Sequence, residues 1–189
     1  GRATVLDNIS FEVGKSEVVG ILGLMGAGRT ELLEAIFGLH NGNVRGNLSM
    51  NNEPVKIKTP SDAIQAGMAL VPEDRKKNGL VLGMDIAGNM SLTTLETLES
   101  YGLLDDQSEQ ALAKHYIKEL NIKTSSAQQK AKNLSGGNQQ KIVLGKWLAT
   151  KPRLLLLDEP TRGIDIHAKS EIYKLILQLA AEGLGIVVV

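Results

Sequence analysis

The segment "EVVGILGLMGAGRTELLEAIFG", residues 17–38, constrains the fold more than any other. A continuous apolar run, Glu17–Gly23, reads as a central parallel strand. It passes through three glycines into a run with helical spacing, in which Leu32, Leu33, Ile36 and Phe37 share a face and Gly38 can close the helix. Gly23, Gly26, Gly28 and Thr30, with Ala27 and Arg29 between, keep the spacing of the phosphate loop GxxxxGK[ST], with Arg at the Lys position. Glycines at those places let backbone N–H groups turn around an anion, and the helix N-terminus adds its positive end. The Thr30 hydroxyl would be offered to Mg²⁺. Arg29 keeps the charge but is planar, forked and bulkier than Lys. Taken alone, the segment fits a glycine-rich turn between strand and helix as well as it fits a phosphate site.

The rest of the chain supplies the frame. Residues 4–13 alternate like a half-buried strand. "GNLSMNNEPVKIK" reads as a hairpin turning at Asn51 and Asn52, Ser61 is placed to cap a short helix, and "MALVPE" is a further strand. Residues 84–133 are polar and helix-rich, with Ala113, Tyr116, Ile117 and Leu120 on one face. Residues 138–149 follow as a helix, "RLLLLD" as a buried strand, Ile172, Leu175, Ile176 and Leu179 as one face of another helix, and "GIVVV" as a last buried strand. Strands alternating with helices predict an α/β fold on a mainly parallel sheet.

Composition excludes several classes. Over 189 residues, 21 Lys and Arg balance 21 Asp and Glu, unlike a general nucleic-acid binder. No cysteine is present, so neither disulfides nor thiolate metal sites can form. The apolar runs are too short to cross a bilayer, and no signal peptide is visible. The chain is expected to be one domain truncated at both ends, since it starts abruptly at Gly1 and stops within an apolar run at Val189.

Two more segments carry chemistry. In "LLLLDEPTRGID", Asp158 and Glu159 end a buried strand. An Asp there, in one sheet with a phosphate loop, is placed to anchor Mg²⁺, and the next Glu to orient or deprotonate a water. In "LSGGNQQK", Ser135, Gly136 and Gly137 stand in front of a polar, helix-compatible run in which nothing looks like a core. Acids after strands are often helix caps, and an isolated Ser-Gly-Gly is usually a loop. All three segments together, in this order and with a helical stretch before the last two, are specific.

With those segments the whole chain resembles the ATP-binding cassette (ABC) ATPases, a P-loop NTPase fold. "GLMGAGRTEL", "VPEDRKKNGL", "LSGGNQQK" and "LDEPTRGIDI" resemble the second cassette of fused bacterial carbohydrate importers of the ribose, xylose and galactose type. The resemblance implies a nucleotide-binding core with an antiparallel β part over 1–83, an inserted helical subdomain over 84–133, and over 134–189 the signature helix, the strand ending in Asp158 and Glu159, and the following helix and strand. It implies ATP and Mg²⁺ as cofactors. Gly23, Gly26, Ala27, Gly28, Arg29 and Thr30 would hold phosphates, Thr30 and Asp158 the metal, and Glu159 would be the catalytic base. Glu73, in "PEDR", stands where other cassettes have Gln, in the loop linking the γ-phosphate site to the membrane partner. Ser135, Gly136 and Gly137 would cap the nucleotide of a second cassette, fused or dimeric. Arg162–Asp165 would touch that cassette, and His167 stands where a small residue is usual.

The implied partners are that cassette, transmembrane permease subunits and, indirectly, a periplasmic or extracellular sugar-binding protein, with no nucleic acid. The implied place is the cytoplasmic face of the cell membrane. Within the resemblance, the adenine-stacking aromatic falls before or near Gly1 and the switch residue beyond Val189, and the isolated chain is expected to be nearly inactive. A non-catalytic regulatory half and a soluble, non-transport ABC ATPase remain the alternatives. "DRKK", Asp74–Lys77, reads as a solvated loop, His40 and His115 as surface residues, Trp147 as packing and the methionines as core filler.

Overall fold

The computed structural model describes residues 6–24, 26–40, 44–100 and 103–189. The residues fall into two compact units, Gly1–Leu70 with Pro152–Glu159 and Leu177–Val189, and Val71–Lys151 with Pro160–Ile176.

The first unit is built on a sheet of β1 (Val18–Gly20), β4 (Met68–Val71), β7 (Leu154–Leu157) and β8 (Gly185–Val188), in the order β1-β8-β7-β4. β8 pairs parallel with β1 and with β7. Leu155, Leu156, Leu157, Ile186 and Val187 have no exposed surface, which is why these strands read as unbroken apolar runs. α1 (Arg29–Ile36) follows β1, burying Leu33, and Phe37 is buried just beyond its end. Gly38 then takes φ 80°. A Cβ there would lie 2.8 Å from the Thr59 backbone, so only glycine turns the chain at this point.

β2 (Leu48–Met50) and β3 (Glu53–Val55) form the expected antiparallel hairpin. Asn51 and Asn52 turn it at φ 53° and 64°, the left-handed pair that a two-residue hairpin requires.

Three sequence expectations are corrected here. Residues 6–13 form no strand, because Asn8 takes φ 48° and breaks the extended run, leaving Ile9 and Phe11 exposed; residues 4 and 5 lie outside the described residues. β1 is short and pairs with β8 alone among the described strands, so within the described sheet it stands at the end of the order rather than at the centre. The helix α2 (Pro60–Gln65) is capped by Thr59, not Ser61. The Thr59 hydroxyl accepts from the Asp62 N–H while the Asp62 carboxylate accepts from the Thr59 N–H, and Pro60 takes the first helical position.

The second unit is mainly helical. α3 (Ile86–Ser91), α4 (Leu95–Leu98) and α5 (Asp106–Glu119) occupy the polar stretch, with a small antiparallel pair, β5 (Glu99–Ser100) and β6 (Leu103–Leu104), between α4 and α5. Ala113, Tyr116 and Leu120 face inward as their spacing predicts. α6 (Gly136–Leu148) is nearly all buried, with Ile142, Val143 and Leu144 at its centre. Asn89 is wholly buried and fully used: its side chain bonds Val81 through both N–H and C=O and also donates to Asp85 O. α7 (Ile166–Ala181) buries Ile172 and Ile176 in this unit; its residues from Leu177 on, with buried Leu179, belong to the first unit. No helix among the described residues is long and apolar enough to cross a membrane.

Candidate active site

The glycine-rich segment before α1, with Asp158 and Glu159, lies in the first unit. Gly26 and Gly28 take φ 80° and 83°, both in the left-handed region. A Cβ on Gly26 would meet nothing within 4 Å, so backbone conformation rather than space requires glycine there. Gly28 is the residue before α1, and its carbonyl accepts from Leu32 N at 2.9 Å. Ala27 N donates to Leu24 O at 3.1 Å, folding the loop onto itself. A Cβ on Gly23 would crowd Ala27 Cβ at 3.2 Å and Arg29 Cδ at 3.4 Å. Gly23, Ala27 and Arg29 therefore pack as one turn.

Asp158 follows β7 and is 3% exposed. Burial pushes its carboxyl pKa up; a hydrogen bond from the Thr30 side chain pulls it down, and the charges of Glu159 and Glu34 raise it further. Its Oδ1 is buried with no hydrogen-bond partner. A buried carboxylate oxygen left open beside a hydroxyl is an expensive arrangement. Both are hard oxygen donors, the kind Mg²⁺ takes. No three His, Cys, Asp or Glu among the described residues group into a metal cage, and Mg²⁺ does not need one, because phosphates and water fill its remaining positions. Thr30 and Asp158 thus fit the ion.

Glu159 continues the sheet through its N–H to Val189 O at 3.1 Å. It holds φ 40°, a strained value for a non-glycine residue. Its Oε1 lies 3.5 Å from Arg29 Nη2. The sequence offered no sign of this pairing.

Ser135, Gly136 and Gly137 lie in the second unit. Ser135 caps α6 and remains exposed; its Oγ accepts from Asn138 N at 3.4 Å and from Asn138 Nδ2 at 3.0 Å. Gly137 is buried: a Cβ there would stand 2.6 Å from Ala168 Cβ. Gly136 is closed off by Arg75, whose Nη2 would lie 2.8 Å from an added Cβ. Glu73 forms an ion pair with Arg162 on a partly exposed surface.

"DRKK" is not a solvated loop throughout. Asp74 caps a π-helical turn, Arg75–Gly79, by accepting from Lys76 N and Lys77 N. Arg75 is 8% exposed, with Nη1 donating to Arg162 O at 2.7 Å and Nη2 to Gly163 O at 3.0 Å. A lone Arg in a charged run gives no sequence signal of burial. His40 and His115 lie on the surface, each paired with a glutamate, Glu34 and Glu119.

Residues 6–162 match the family described as ABC transporter. The chain belongs to that family. It is 52% identical over 98% of its length to the ribose import ATP-binding protein RbsA of Rhodopirellula baltica, covering 36% of that protein. It is 46% identical over 98% of its length to the xylose import ATP-binding protein XylG of Thermoanaerobacter pseudethanolicus, covering 37% of it. The chain thus spans little more than a third of the length of these curated relatives. Among solved structures, a nucleotide-free ATP-binding cassette from an ABC transporter superposes with a TM-score of 0.83 over 100% of this chain and 76% of its own, at 22% identity. That likeness establishes the cassette fold of this ABC family member.

Proposed function

We propose that the chain binds and hydrolyses ATP as a cassette of a sugar importer at the cytoplasmic face of the cell membrane. The observation that carries this reading is Asp158, buried at 3% exposure with Oδ1 unpartnered and Thr30 as its hydrogen-bond partner. The relatives' names, ribose and xylose import ATP-binding proteins, supply sugar as the cargo class.

In this reading Gly23, Gly26, Ala27, Gly28 and Arg29 wrap the phosphates, backbone N–H groups and the start of α1 meeting negative charge. Thr30 and Asp158 hold Mg²⁺, which when bound offsets charge on the phosphate oxygens. Glu159 receives the proton of the attacking water. Glu73, an acceptor only when ionised, orients water on the γ-phosphate side. Ser135, Gly136 and Gly137 present the N-terminus of α6 to a nucleotide held by a second cassette. The partners are that cassette, permease subunits in the membrane and, through them, a sugar-binding protein outside.

One observation favours a second reading. Arg29 and Glu159 occupy each other at 3.5 Å, so the phosphate cation and the base are both engaged. A cassette held so binds nucleotide without turning it over, and serves mainly through its signature helix.

The test is ATP-driven uptake of radiolabelled ribose and xylose by the intact protein reconstituted with its membrane subunits. Uptake that needs hydrolysable ATP and is lost in Asp158→Asn supports the proposal. An intact protein that neither binds Mg-ATP nor supports uptake of any sugar sinks it.

A further inference from the structure

Three stretches of the second unit converge on one side chain. The Arg75 fork donates to two successive carbonyls, Arg162 O at 2.7 Å and Gly163 O at 3.0 Å. The same Nη2 packs against the first residue of α6, where a Cβ on Gly136 would lie 2.8 Å away. That Cβ would also crowd Gly163 O at 3.2 Å and Ile164 Cγ2 at 3.2 Å. At the far end of the π-helical turn, Lys146 Nζ of α6 donates to Gly79 O at 2.5 Å, and a Cβ on Gly79 would stand 3.0 Å from Val143 Cγ2. The turn is therefore fastened to α6 at its end and to the 162–163 loop at its start.

We infer that Arg75 is a positioning residue that locks the 162–163 loop against the N-terminus of α6, so that Ser135, Gly136 and the loop beyond Glu159 move as one piece with the Glu73 segment. Burial disfavours the charge on Arg75, yet guanidinium stays protonated in proteins. Its Nε is buried without a hydrogen bond, a cost that packing alone does not repay. The fork suits two adjacent carbonyls because it offers parallel donors on one rigid plane; an ammonium reaches one of them at a time. Glycine at 136 then admits the fork, so its role reaches beyond close approach of an anion.

This inference rests on the reading of the chain as an ATP-hydrolysing cassette, and its test has a readout independent of that reading. In the intact protein, hydrogen exchange is followed at Asn138 and Gln139, whose amides bond Ser135, and at Ala168 and Lys169, whose amides bond Asp165. Arg75→Lys and Arg75→Ala should each speed exchange at these amides about tenfold, with little change in α5, as loss of a charge-assisted hydrogen bond implies. Steady-state hydrolysis should fall about tenfold in kcat with KM for ATP within about twofold, because the change spares the phosphate loop. Guanidinium ion at millimolar levels should recover part of the Arg75→Ala rate, and methylammonium should not. Wild-type exchange and kcat in Arg75→Lys would overturn the inference, as would a loss in Arg75→Ala that only tracks its melting temperature and ignores guanidinium. If the wild type hydrolyses no ATP, the proposed function fails, and the exchange rates alone decide the role of Arg75.

Discussion

Arg29 Nη2 and Glu159 Oε1 stand 3.5 Å apart, joining the cation of the phosphate loop to the carboxylate that follows buried Asp158. The two side chains are 23% and 40% exposed, so the pair is partly screened and of modest strength. Its consequence is functional. The Glu159 carboxylate is turned towards Arg29 rather than towards a water, and the Arg29 fork towards a carboxylate rather than a phosphate.

In the second reading, where the Arg29–Glu159 pair keeps this site silent, Glu159→Gln changes the steady-state ATPase rate of the intact protein by less than about threefold, although an amide is a poor base. Phosphate release at saturating Mg-ATP measures it. Loss of most of the turnover would show that the pair opens and that Glu159 is the working base.

Ser135→Asp separates capping from nucleotide contact. Aspartate caps a helix as well as serine, so the melting temperature should stay within about 2 °C. The added charge faces an incoming phosphate, and sugar uptake should fall more than tenfold. Gly137→Ala is the contrasting change: its Cβ would meet Ala168 Cβ at 2.6 Å, costing about 1–3 kcal/mol by overpacking before any nucleotide is bound. Normal uptake by Ser135→Asp at matched expression would remove the signature helix from nucleotide contact.

Asp158→Asn should leave the nucleotide-free protein as stable as wild type or more so. Burial raises the native carboxyl pKa, so the folded state holds its proton to higher pH than the unfolded chain. Stability is lost as pH rises through the native pKa, and at neutral pH the charge is a net cost that Asn removes. The shift in melting temperature on adding Mg-ATP should vanish, since binding to the native state is what produces it. A full Mg-ATP shift in the variant would contradict the metal assignment.

Lys146 is 7% exposed, and burial pushes its pKa down to about 8. The unfolded chain binds this proton more tightly, so stability rises with pH from about 8 towards the ordinary lysine value of 10.5. Below that window the buried charge is a net cost of about 3 kcal/mol even with its bond to Gly79 O. Lys146→Met should flatten this slope: the difference in unfolding free energy between variant and wild type should shift by about 2–3 kcal/mol between pH 7 and pH 10. Denaturant titration at the two pH values reads it, and a constant difference would mean that Lys146 keeps its proton throughout.

Local chemistry was legible in the sequence because it depends on residues near each other in the chain. The glycine spacing before α1, the Asn51–Asn52 turn and the apolar faces of α5 and α7 follow from backbone sterics and a 3.6-residue period. The order of the three motifs fixed the family for the same reason. Contacts between distant segments carried no such periodicity. Whether Arg75 lies in water or grips Arg162 O and Gly163 O depends on where residues 162–163 come to rest, and nothing near position 75 encodes that. The same holds for Arg29 meeting Glu159 across 130 residues, and for Gly137, glycine because Ala168 packs against it. The place of β1 at the end of the described sheet was equally invisible, since an apolar run states that a strand is suited to burial and not which strands lie beside it.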